Sequence, residues 1–355
     1  MNARLDLDDY QILGTLGVGT VGTIFAALDT VNERRVAIKE LHPNVSRDEL
    51  IRSRFKREMT ILSRLQHPNI IRYHGSGDAG GKLFYVMELV EGGSVKELIH
   101  SSDQLAWPMV VSISRQICSA LQFAHNHGII HRDLKPANLF LSRSGVVKLG
   151  DFGIARDTAA ADLTASGLTV GTHAYMAPEQ ITADGTISGK ADLYALGCCM
   201  FEMLTGHQPF RGANFAQLFE QHLNATPPSV RDVFHEVPEE LDAVIRQCLA
   251  KQPDDRPFNA RAVQGVMFQI QEKYKLDPDN ATTRGTDHGT ENDVGASEAR
   301  QVDRGTRMLQ RQIAARLGDS ARRDVSWKSL LLLVLVIVAG ITAFLVVRFA
   351  GFFGP

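Results

Sequence analysis

This sequence has few cysteines and little net charge, and its first ten residues contain no apolar run. Its 355 residues include only four cysteines and no pair of C-x-x-C motifs, so neither a disulfide framework nor a zinc site is predicted. The formal net charge of −2 gives no sign of a nucleic-acid-binding surface. The first ten residues lack the basic and apolar regions of a secretory leader. These scarcities favour a protein of a reducing compartment whose cysteines serve as small buried hydrophobes.

The remainder of the sequence divides into three zones. Residues 10–271 mix strand-like and helix-like periodicities, and their apolar content is sufficient for a folded core. Residues 272–328 are polar, with few large apolar side chains, and are predicted to be a linker. An apolar zone at 329–350 follows, and residues 351–355 form a short tail.

The apolar zone is predicted to be a transmembrane helix. Its charge-free run from Leu330 to Val347 would be roughly 27 Å long as an α-helix, close to the ~30 Å hydrocarbon core of a bilayer. A buried core helix is the alternative, but such a helix normally carries a polar stripe. The positive-inside rule predicts a single-pass protein of the cell membrane with its N-terminal part in the cytoplasm. The basic residues behind that orientation are Arg322, Arg323 and Lys328 before the span, against Arg348 after it.

The distal linker allows two interpretations. Drawn as a helix over 300–317, it has one basic and one apolar side, and a basic amphipathic helix near a bilayer can lie on anionic headgroups. A solvated or disordered stretch is the simpler interpretation. The basic side holds Arg300, Arg304, Arg307 and Arg311, and the apolar side holds Val302, Leu309, Ile313 and Leu317. Within the span, Ala339 and Ala343 form a small-x-x-x-small pair that allows a homodimer.

The first zone is predicted to begin with short strands and to continue mainly with helices. The order indicates a small strand-rich lobe followed by a larger helical lobe, and a cleft between two such lobes is a natural ligand site. Capping boxes at Ser46/Glu49 and Ser94/Glu97 mark two helix starts. The predicted strands are Tyr10–Leu16, Thr23–Leu28, Arg35–Glu40, Ile70–His74, Leu83–Glu88 and Val146–Leu149.

A G-x-G-x-x-G loop separates the first two predicted strands. Glycines let backbone N–H groups approach a phosphate closely, although a plain glycine hairpin is the commoner origin of such a loop in isolation. A dinucleotide-binding fold would put a helix after the loop, whereas Thr23–Leu28 has the pattern of a strand. The loop is therefore interpreted as a flap between strands, and it reads Gly17-Val18-Gly19-Thr20-Val21-Gly22.

A lysine on the third predicted strand can pair with phosphate oxygens. Lys39 ends the run Val36-Ala37-Ile38-Lys39. Its ammonium needs a counter-charge to hold its direction, and Glu58 on the following helix is placed to supply one. A solvated surface ion pair, which contributes little, is the plain alternative for either charge.

Two later motifs carry carboxylate and amide oxygens. In the run 131–138, Asp133 can orient a hydroxyl and accept its proton. Lys135 can neutralise charge on a transferred phosphoryl group, and Asn138 offers a hard oxygen to Mg²⁺. Asp151, in Asp151-Phe152-Gly153, supplies a carboxylate to the same metal.

These four motifs, in this order and at these spacings, resemble the protein-kinase signature set. Ile24 stands where the family has valine, which is a conservative difference. Ala177-Pro178-Glu179 matches the A-P-E motif of the family. Asp192 resembles the aspartate that braces the catalytic loop, and Arg256 resembles the arginine that pairs with the A-P-E glutamate.

The resemblance implies an α+β, bilobal protein-kinase-like fold over residues 10–271, in addition to the one transmembrane helix. The N-lobe would be 10–87, the hinge 88–92 and the C-lobe 93–271. It implies ATP as the phosphoryl donor, Mg²⁺ as the metal with Mn²⁺ as an alternative, and protein substrates. The kinase domain would lie on the cytoplasmic side of the membrane.

The resemblance also implies roles for individual residues. The adenine would lie between Ala37 and either Leu139 or Phe140, with Met87 as gatekeeper. Asn138 and Asp151 would bind the metal. The catalytic residues would be Asp133 as proton acceptor, Lys135, Asn138 and Thr172. The ATP-binding residues would be Leu16, Gly17, Val18, Gly19, Thr20, Val21, Gly22, Thr23, Ile24, Ala37, Lys39, Glu58, Met87, Glu88 and Val90.

Lys135 and the pair Gly171-Thr172 resemble the serine/threonine branch of the family. Arg132 could pair with a phosphate on the loop before Gly171, which would activate the enzyme by autophosphorylation. The candidate phosphosites are Thr164, Ser166 and Thr169; the offsets of the first two from Thr172 resemble the activating sites of bacterial relatives. An unmodified loop is the alternative.

Two other functions compete with protein phosphorylation. A membrane-anchored scaffold could bind nucleotide without transferring phosphate, but the intact Lys39, Asp133 and Asp151 argue against it. A small-molecule phosphotransferase of related fold is disfavoured by the Gly171-Thr172 and A-P-E segment, which shapes a peptide groove. The predicted partners are protein substrates, the lipid bilayer and a second copy of the chain, with no nucleic acid.

Overall fold

A computed structural model describes residues 5–19, 22–46, 49–152, 173–183, 187–274 and 303–318. The side chains of residues 44, 45, 49–51, 54 and 56–58 are not part of that description. The chain divides into two compact units, residues 1–310 and residues 311–355. Every strand and helix bounded below belongs to the first unit, and the second contains a described helical stretch at 311–318.

The N-terminal part of the first unit is a five-stranded antiparallel sheet in the order β1-β2-β3-β5-β4. The strands are β1 (Tyr10–Val18), β2 (Gly22–Asp29), β3 (Arg34–Leu41), β4 (Tyr73–Ala79) and β5 (Lys82–Glu88). A short helix α1 (Pro43–Ser46) and the longer α2 (Glu49–Leu62) stand between β3 and β4.

Strand alternation sorts the side chains of β3 between the two faces of the sheet. Val36 and Ile38 are buried in one apolar cluster with Phe84. Ala37 and Lys39 therefore lie on the opposite face, because successive side chains of a strand point to opposite sides. Met59 of α2 packs on the sheet in a second cluster with Tyr85. The sheet thus carries an apolar cluster on each side, and Lys39 lies on the side against which α2 packs, beside its register partner Tyr85.

Two predicted features of this lobe are wrong. Ser46 does not begin the long helix: it ends α1, and its hydroxyl accepts a hydrogen bond from the Leu83 N–H at 3.2 Å. The strand predicted at Ile70–His74 begins instead at Tyr73 and continues through Gly77, where an added Cβ would lie 2.4 Å from the Phe84 ring. Glycine allows this close packing. Because glycine is unusual inside a strand, the residue pattern did not indicate one here.

The C-terminal part is mainly helical. Its helices are α3 (Val95–Ser102), α4 (Trp107–Asn126), α5 (Pro178–Thr182), α6 (Gly189–Thr205), α7 (Phe215–Asn224), α8 (Glu239–Cys248) and α9 (Ala260–Lys273). A small hairpin of β6 (Leu139–Leu141) and β7 (Val147–Leu149) lies between α4 and α5. Ser94 caps α3 by accepting from the Glu97 N–H at 3.2 Å, as predicted. The predicted strand-rich lobe and helical lobe are confirmed.

Helix α6 is buried around most of its circumference, which is typical of a helix at the centre of a lobe. The four cysteines are free thiols in buried positions, as the sequence indicated. Among the described residues, no helix is both long and apolar enough to cross a bilayer. The predicted span at 329–350 lies outside them.

Candidate active site

Asp192, near the start of α6, holds the loop that carries Asp133. Its carboxylate accepts hydrogen bonds from the backbone N–H groups of His131 and Arg132, both at 2.8 Å. Arg132 has a positive φ of 64°, a strained conformation for a residue with a side chain. The two bonds stabilise that turn, so the predicted bracing role of Asp192 is confirmed.

His131 links the same loop to the strand end that carries Asp151. Its Nδ1 accepts from the Asp133 N–H at 3.3 Å, and its Nε2 donates to the Gly150 carbonyl at 3.0 Å. These two bonds require a neutral ring protonated on Nε2. Burial lowers the pKa of His131 below its ordinary value, against the opposing effect of Asp192, and keeps the ring neutral.

Asp133, Lys135 and Asn138 form a compact polar group. Lys135 Nζ lies 2.8 Å from Asp133 Oδ2. Asn138 Nδ2 donates to the backbone carbonyl of Asp133 at 2.8 Å and to its Oδ2 at 3.2 Å. The amide nitrogen of Asn138 is thus directed at Asp133, which leaves its Oδ1 as the atom with which it could bind a metal.

Backbone pairing brings this group to Asp151. The Gly150 N–H donates to the Asn138 carbonyl at 3.0 Å, next to the register pair Leu139–Leu149 of the β6–β7 hairpin. Asp151 follows directly, with a positive φ of 49°. A Cβ on Gly150 would lie 2.6 Å from the end of the Ile71 side chain, so any larger residue would have to displace that side chain.

Lys39 reaches Asp151 across the cleft between the lobes. Its Nζ lies 3.0 Å from Asp151 Oδ1, although the two residues are 112 positions apart in sequence. Burial alone would lower the pKa of Lys39, but its interactions with Tyr85 and with the carboxylate of Asp151 outweigh it and raise the pKa above its ordinary value. The ammonium therefore stays charged across the neutral range.

The glycine flap joins β1 to β2, as predicted, and the structure describes it except for Thr20 and Val21. The Gly19 N–H donates to the Gly22 carbonyl at 2.9 Å. A Cβ on Gly22 would lie 2.2 Å from the Glu40 carbonyl oxygen. Leu16 and Val18 are exposed at 55% and 73%, so their side chains are available to a ligand beneath the flap.

The strand register places the predicted gatekeeper Met87 and the first predicted hinge residue, Glu88, beside β3. Met87 pairs with Ala37, and Glu88 pairs with Val36. The Glu88 N–H donates to the Arg72 carbonyl at 2.8 Å, so a purine contact at Glu88 would have to use its carbonyl oxygen. Phe140 is partly exposed while Leu139 is fully buried, which favours Phe140 as the lower contact for adenine.

Several predicted site residues are not described in full. Glu58 lies on α2 with its side chain outside the description, so its pairing with Lys39 stays a prediction. Thr172 and the candidate phosphosites lie wholly outside the described residues; the latter are Thr164, Ser166 and Thr169.

The A-P-E segment is anchored by an ion pair. Arg256 Nη1 and Nη2 lie 2.7 and 2.8 Å from the two carboxylate oxygens of Glu179, and the arginine side chain is fully buried. Arg256 also donates to the backbone carbonyls of Ala250 and Lys190. The predicted pairing is confirmed, and breaking a buried pair of this kind typically costs about 3–5 kcal/mol.

The donor set fits a magnesium ion that is bound together with a nucleotide. Asn138 and Asp151 offer hard oxygens, and Mg²⁺ commonly takes one or two protein ligands plus phosphate oxygens. Among the described residues, no cluster of three or more His, Cys, Asp or Glu side chains could hold a metal on its own. The structure thus provides part of a coordination shell, which phosphates would have to complete.

Sequence reasoning missed two residues that support this site. His125 Nε2 donates to Asp192 Oδ2 at 2.7 Å, and Gln180 Nε2 donates to the Arg132 carbonyl at 3.3 Å. Gln180 is 48 positions from Arg132, and His125 acts on the loop through Asp192, which is 67 positions away from it in sequence. No local pattern in the sequence marks them, because their role depends on contacts between helices.

Similarities to known proteins agree with this geometry. Residues 10–268 match the family described as protein kinase domain. The chain is 39% identical over 251 residues to serine/threonine-protein kinase PknH of Mycobacterium tuberculosis H37Rv, covering 71% of this chain and 40% of PknH. It is 34% identical over 267 residues to serine/threonine-protein kinase PknL of the same organism, covering 75% of this chain and 67% of PknL.

Among solved structures, the fold is similar to the crystal structure of the Mycobacterium tuberculosis PknI kinase domain. The TM-score is 0.58 at 27% sequence identity, with 76% of this chain and 98% of that domain covered. The chain spans about two fifths of the length of PknH, at 40%. The shared part is the bilobal domain that contains the site.

Proposed function

This chain belongs to the bacterial-type serine/threonine protein kinase family, and we propose that it transfers the γ-phosphoryl group of ATP to serine and threonine hydroxyls of proteins. One observation carries the proposal. Asp133, Asn138, Asp151 and Lys39 are connected by direct contacts of 2.8–3.2 Å and one backbone bond of 3.0 Å. An ammonium and two carboxylates are therefore held at one cleft, where a triphosphate can be oriented.

Each residue has a distinct task in this reaction. Asp133 orients the attacking hydroxyl and accepts its proton. Lys39 binds phosphate oxygens, and Lys135 neutralises charge that develops on the transferred group. There is little covalent chemistry for the protein to perform, so catalysis rests on positioning and charge neutralisation.

Asn138 and Asp151 hold Mg²⁺ in this proposal, with Mn²⁺ as an alternative. When bound there, the ion would supply positive charge that neutralises the phosphates. The nucleotide lies under the flap, with Leu16, Val18 and Ala37 against the adenine side. The other flap residues complete the proposed ATP-binding set, and these are Gly17, Gly19, Thr20, Val21, Gly22, Thr23 and Ile24.

Activation proceeds by phosphorylation of the loop before the A-P-E motif. Thr164 and Ser166 are the favoured acceptors, with Thr169 as a third candidate. Arg132 would bind the phosphate through charge-assisted hydrogen bonds. Thr172 is proposed to hydrogen-bond near Asp133 and Lys135 rather than to accept phosphate.

Incubation of the full chain with labelled ATP and Mg²⁺ is expected to produce phosphoserine and phosphothreonine but no phosphotyrosine. Mass spectrometry should locate phosphate at Thr164 and Ser166. The double variant Thr164→Ala/Ser166→Ala should lose about tenfold or more in activity, since a charge-assisted hydrogen bond contributes about 1.5–3 kcal/mol. Ser144→Ala, at an exposed position of the β6–β7 turn, is the control. Phosphotyrosine, or full activity without phosphate on the loop, would contradict the proposal.

We further propose that residues 329–350 cross the cell membrane once, with the kinase domain in the cytoplasm. The supporting observation is the charge-free run in the sequence, together with the basic residues before it. This anchor would confine phosphorylation to substrates near the membrane surface and make the kinase a component of membrane signalling.

The full chain is expected to float with liposomes and to resist an alkaline wash. The double variant Val338→Arg/Ile341→Arg should move to the soluble fraction, because each arginine at mid-span costs about 2.5–3.5 kcal/mol. Asn280→Arg/Thr282→Arg adds the same charge to the linker and should still float. Release of the unaltered chain by the wash would refute the span.

A further inference from the structure

Part of the predicted linker packs on the kinase domain. Residues 304–310 are helical and belong to the same compact unit as both lobes. Asp303, which precedes them, is only 5% exposed. We call residues 303–310 the docking segment. A buried carboxylate in a polar linker needs specific partners, because leaving a charge unpaired away from water is costly.

Asp303 has those partners on α4 and on its own helix. Its Oδ2 lies 3.1 Å from Arg115 Nη2 of α4. Its Oδ1 accepts from the Thr306 N–H at 2.9 Å, which is the contact of a helix N-cap. Thr306 Oγ1 lies 2.6 Å from Ser112 Oγ of α4. The same carboxylate therefore begins the helix and fastens it to the C-lobe.

The positions of two glycines show how closely the docking segment approaches the C-lobe. A Cβ on Gly305 would lie 2.1 Å from the carbonyl oxygen of Pro108, a backbone atom of α4. A Cβ on Gly145, in the β6–β7 turn, would lie 3.0 Å from Gln310 Cγ. Gln310 Nε2 donates to the Ser144 carbonyl of that turn at 2.8 Å. The approach is backbone to backbone at Gly305, and at Gly145 the side chain of Gln310 packs against the turn.

The docked arrangement also uses the apolar side of the segment. Leu309 is fully buried, whereas Arg304 and Arg307 are exposed. The leucine that a membrane-surface helix would present to lipid is therefore already covered in this structure. The exposed arginines explain why the segment has the composition of a solvated linker.

We propose that a surface on the C-lobe, formed by Pro108, Ser112 and Arg115 of α4 and by Ser144–Gly145, is a docking site for the chain's own residues 303–310. The occupant is in the same chain and is held by an ion pair to a buried carboxylate, a helix cap and close approaches at two glycines. Nothing about this site depends on nucleotide, and its occupation does not require phosphotransfer.

Docking changes the length of the tether to the membrane, a consequence that rests on the proposed span. Without docking, residues 275–328 could extend up to about 190 Å, at ~3.5 Å per residue. With residues 303–310 docked, only 311–328 remain, and they reach about 60 Å at most. The kinase domain would then meet only substrates close to the bilayer.

The test measures a distance in the full chain in detergent micelles. Spin labels are placed at Arg261→Cys on α9 and Arg307→Cys on the docking segment, two exposed positions. The four native cysteines are buried, so the label should enter the introduced ones. A single narrow distance distribution is expected. A broad one, of the kind a free linker gives, would overturn the proposal.

Gly305→Leu is the disrupting variant and Arg304→Leu is its control. Leucine at 305 would collide with the Pro108 carbonyl, yet it has a higher helix propensity than glycine, so a loss of docking could not be ascribed to a weaker helix. Arg304→Leu adds the same side chain on the exposed side. The width of the distance distribution between the two labels should increase at least twofold for Gly305→Leu and stay unchanged for Arg304→Leu.

Two further outcomes would count against docking. A narrow distribution in Gly305→Leu would show that the close approach at Pro108 is not what holds the segment. Broadening of the unaltered chain on addition of vesicles with anionic lipid, but not with neutral lipid, would make the membrane the preferred occupant. Because neither readout uses phosphate transfer, failure of this inference is distinguishable from failure of the proposed kinase activity.

Discussion

Asp133→Asn is expected to lower kcat by about 10³-fold, since general base catalysis contributes ~10²–10⁴-fold. The amide has the shape of the carboxylate but cannot accept a proton. Lys135 and Asn138 contact Asp133 Oδ2 at 2.8 and 3.2 Å, so the side chain is already held in place by its neighbours. The loss should therefore be chemical rather than structural, and the Kd for ATP with Mg²⁺ should change by less than about threefold.

Steady-state kinetics with labelled ATP and a separate nucleotide-binding titration distinguish these two quantities. Asp254→Asn, an exposed aspartate in the C-lobe, is the matched control and should behave as the unaltered chain does. A kcat within tenfold of the original for Asp133→Asn would remove Asp133 from the proton-transfer role. A large loss of ATP affinity would instead place it among the nucleotide-binding residues.

Lys39→Met is expected to lower kcat/KM by about 10³-fold, which corresponds to about 4 kcal/mol of transition-state stabilisation. Methionine retains the apolar stem and removes the charge. Asp151 would lose the ammonium that lies 3.0 Å from its Oδ1, and phosphates would enter a site with one positive charge fewer. The KM for ATP should rise and kcat should fall, because Lys39 contacts the nucleotide in the ground state and in the transition state.

Lys82→Met is the control for this variant. Lys82 is on the same sheet, half-exposed at 49%, and pairs with Glu40 at 3.2 Å, a surface arrangement that contributes little. The kinase activity of Lys82→Met should differ from that of the unaltered chain by less than about twofold. A thermal melt of Lys39→Met should still show a cooperative transition, so that the loss can be assigned to the site. Equal phosphotransfer by Lys39→Met and the unaltered chain would refute the mechanism.

The raised pKa of Lys39 adds a pH dependence to this prediction. Because its pKa lies above the ordinary lysine value, Lys39 stays protonated from pH 6 to 9 and should contribute no inflection there. Burial lowers the pKa of His131 below its ordinary value, which favours the neutral ring. An inflection in kcat/KM that disappears in Lys39→Met would contradict this assignment.

Local chemistry explains why so much of the active site could be predicted. Strand alternation around Lys39, the glycines of the flap and the run from His131 to Asn138 are all short patterns, and the structure folds each as expected. Ser94 caps its helix, whereas Ser46 does not, although the two have the same S-x-x-E pattern. The difference is that Ser46 packs against β5, a contact that a four-residue pattern does not contain.

Residues that act through distant neighbours could not be predicted in the same way. His125 and Gln180 support the catalytic loop from α4 and α5, and neither carries a local signal. The position of the helix at 304–310 could not be predicted from local sequence either. Its amphipathic pattern indicated an apolar side but not whether lipid, solvent or protein would cover it.

By itself, the amino-acid sequence determined the order of the strands and helices and the chemical groups at the site, because both depend on side-chain periodicity and residue type over short distances. Only the tertiary structure decided that Lys39 meets Asp151 and that residues 303–310 lie on α4. Those contacts join positions 112 and 188 residues apart. They exist because burial of the two lobes brings remote surfaces together, which no local pattern specifies.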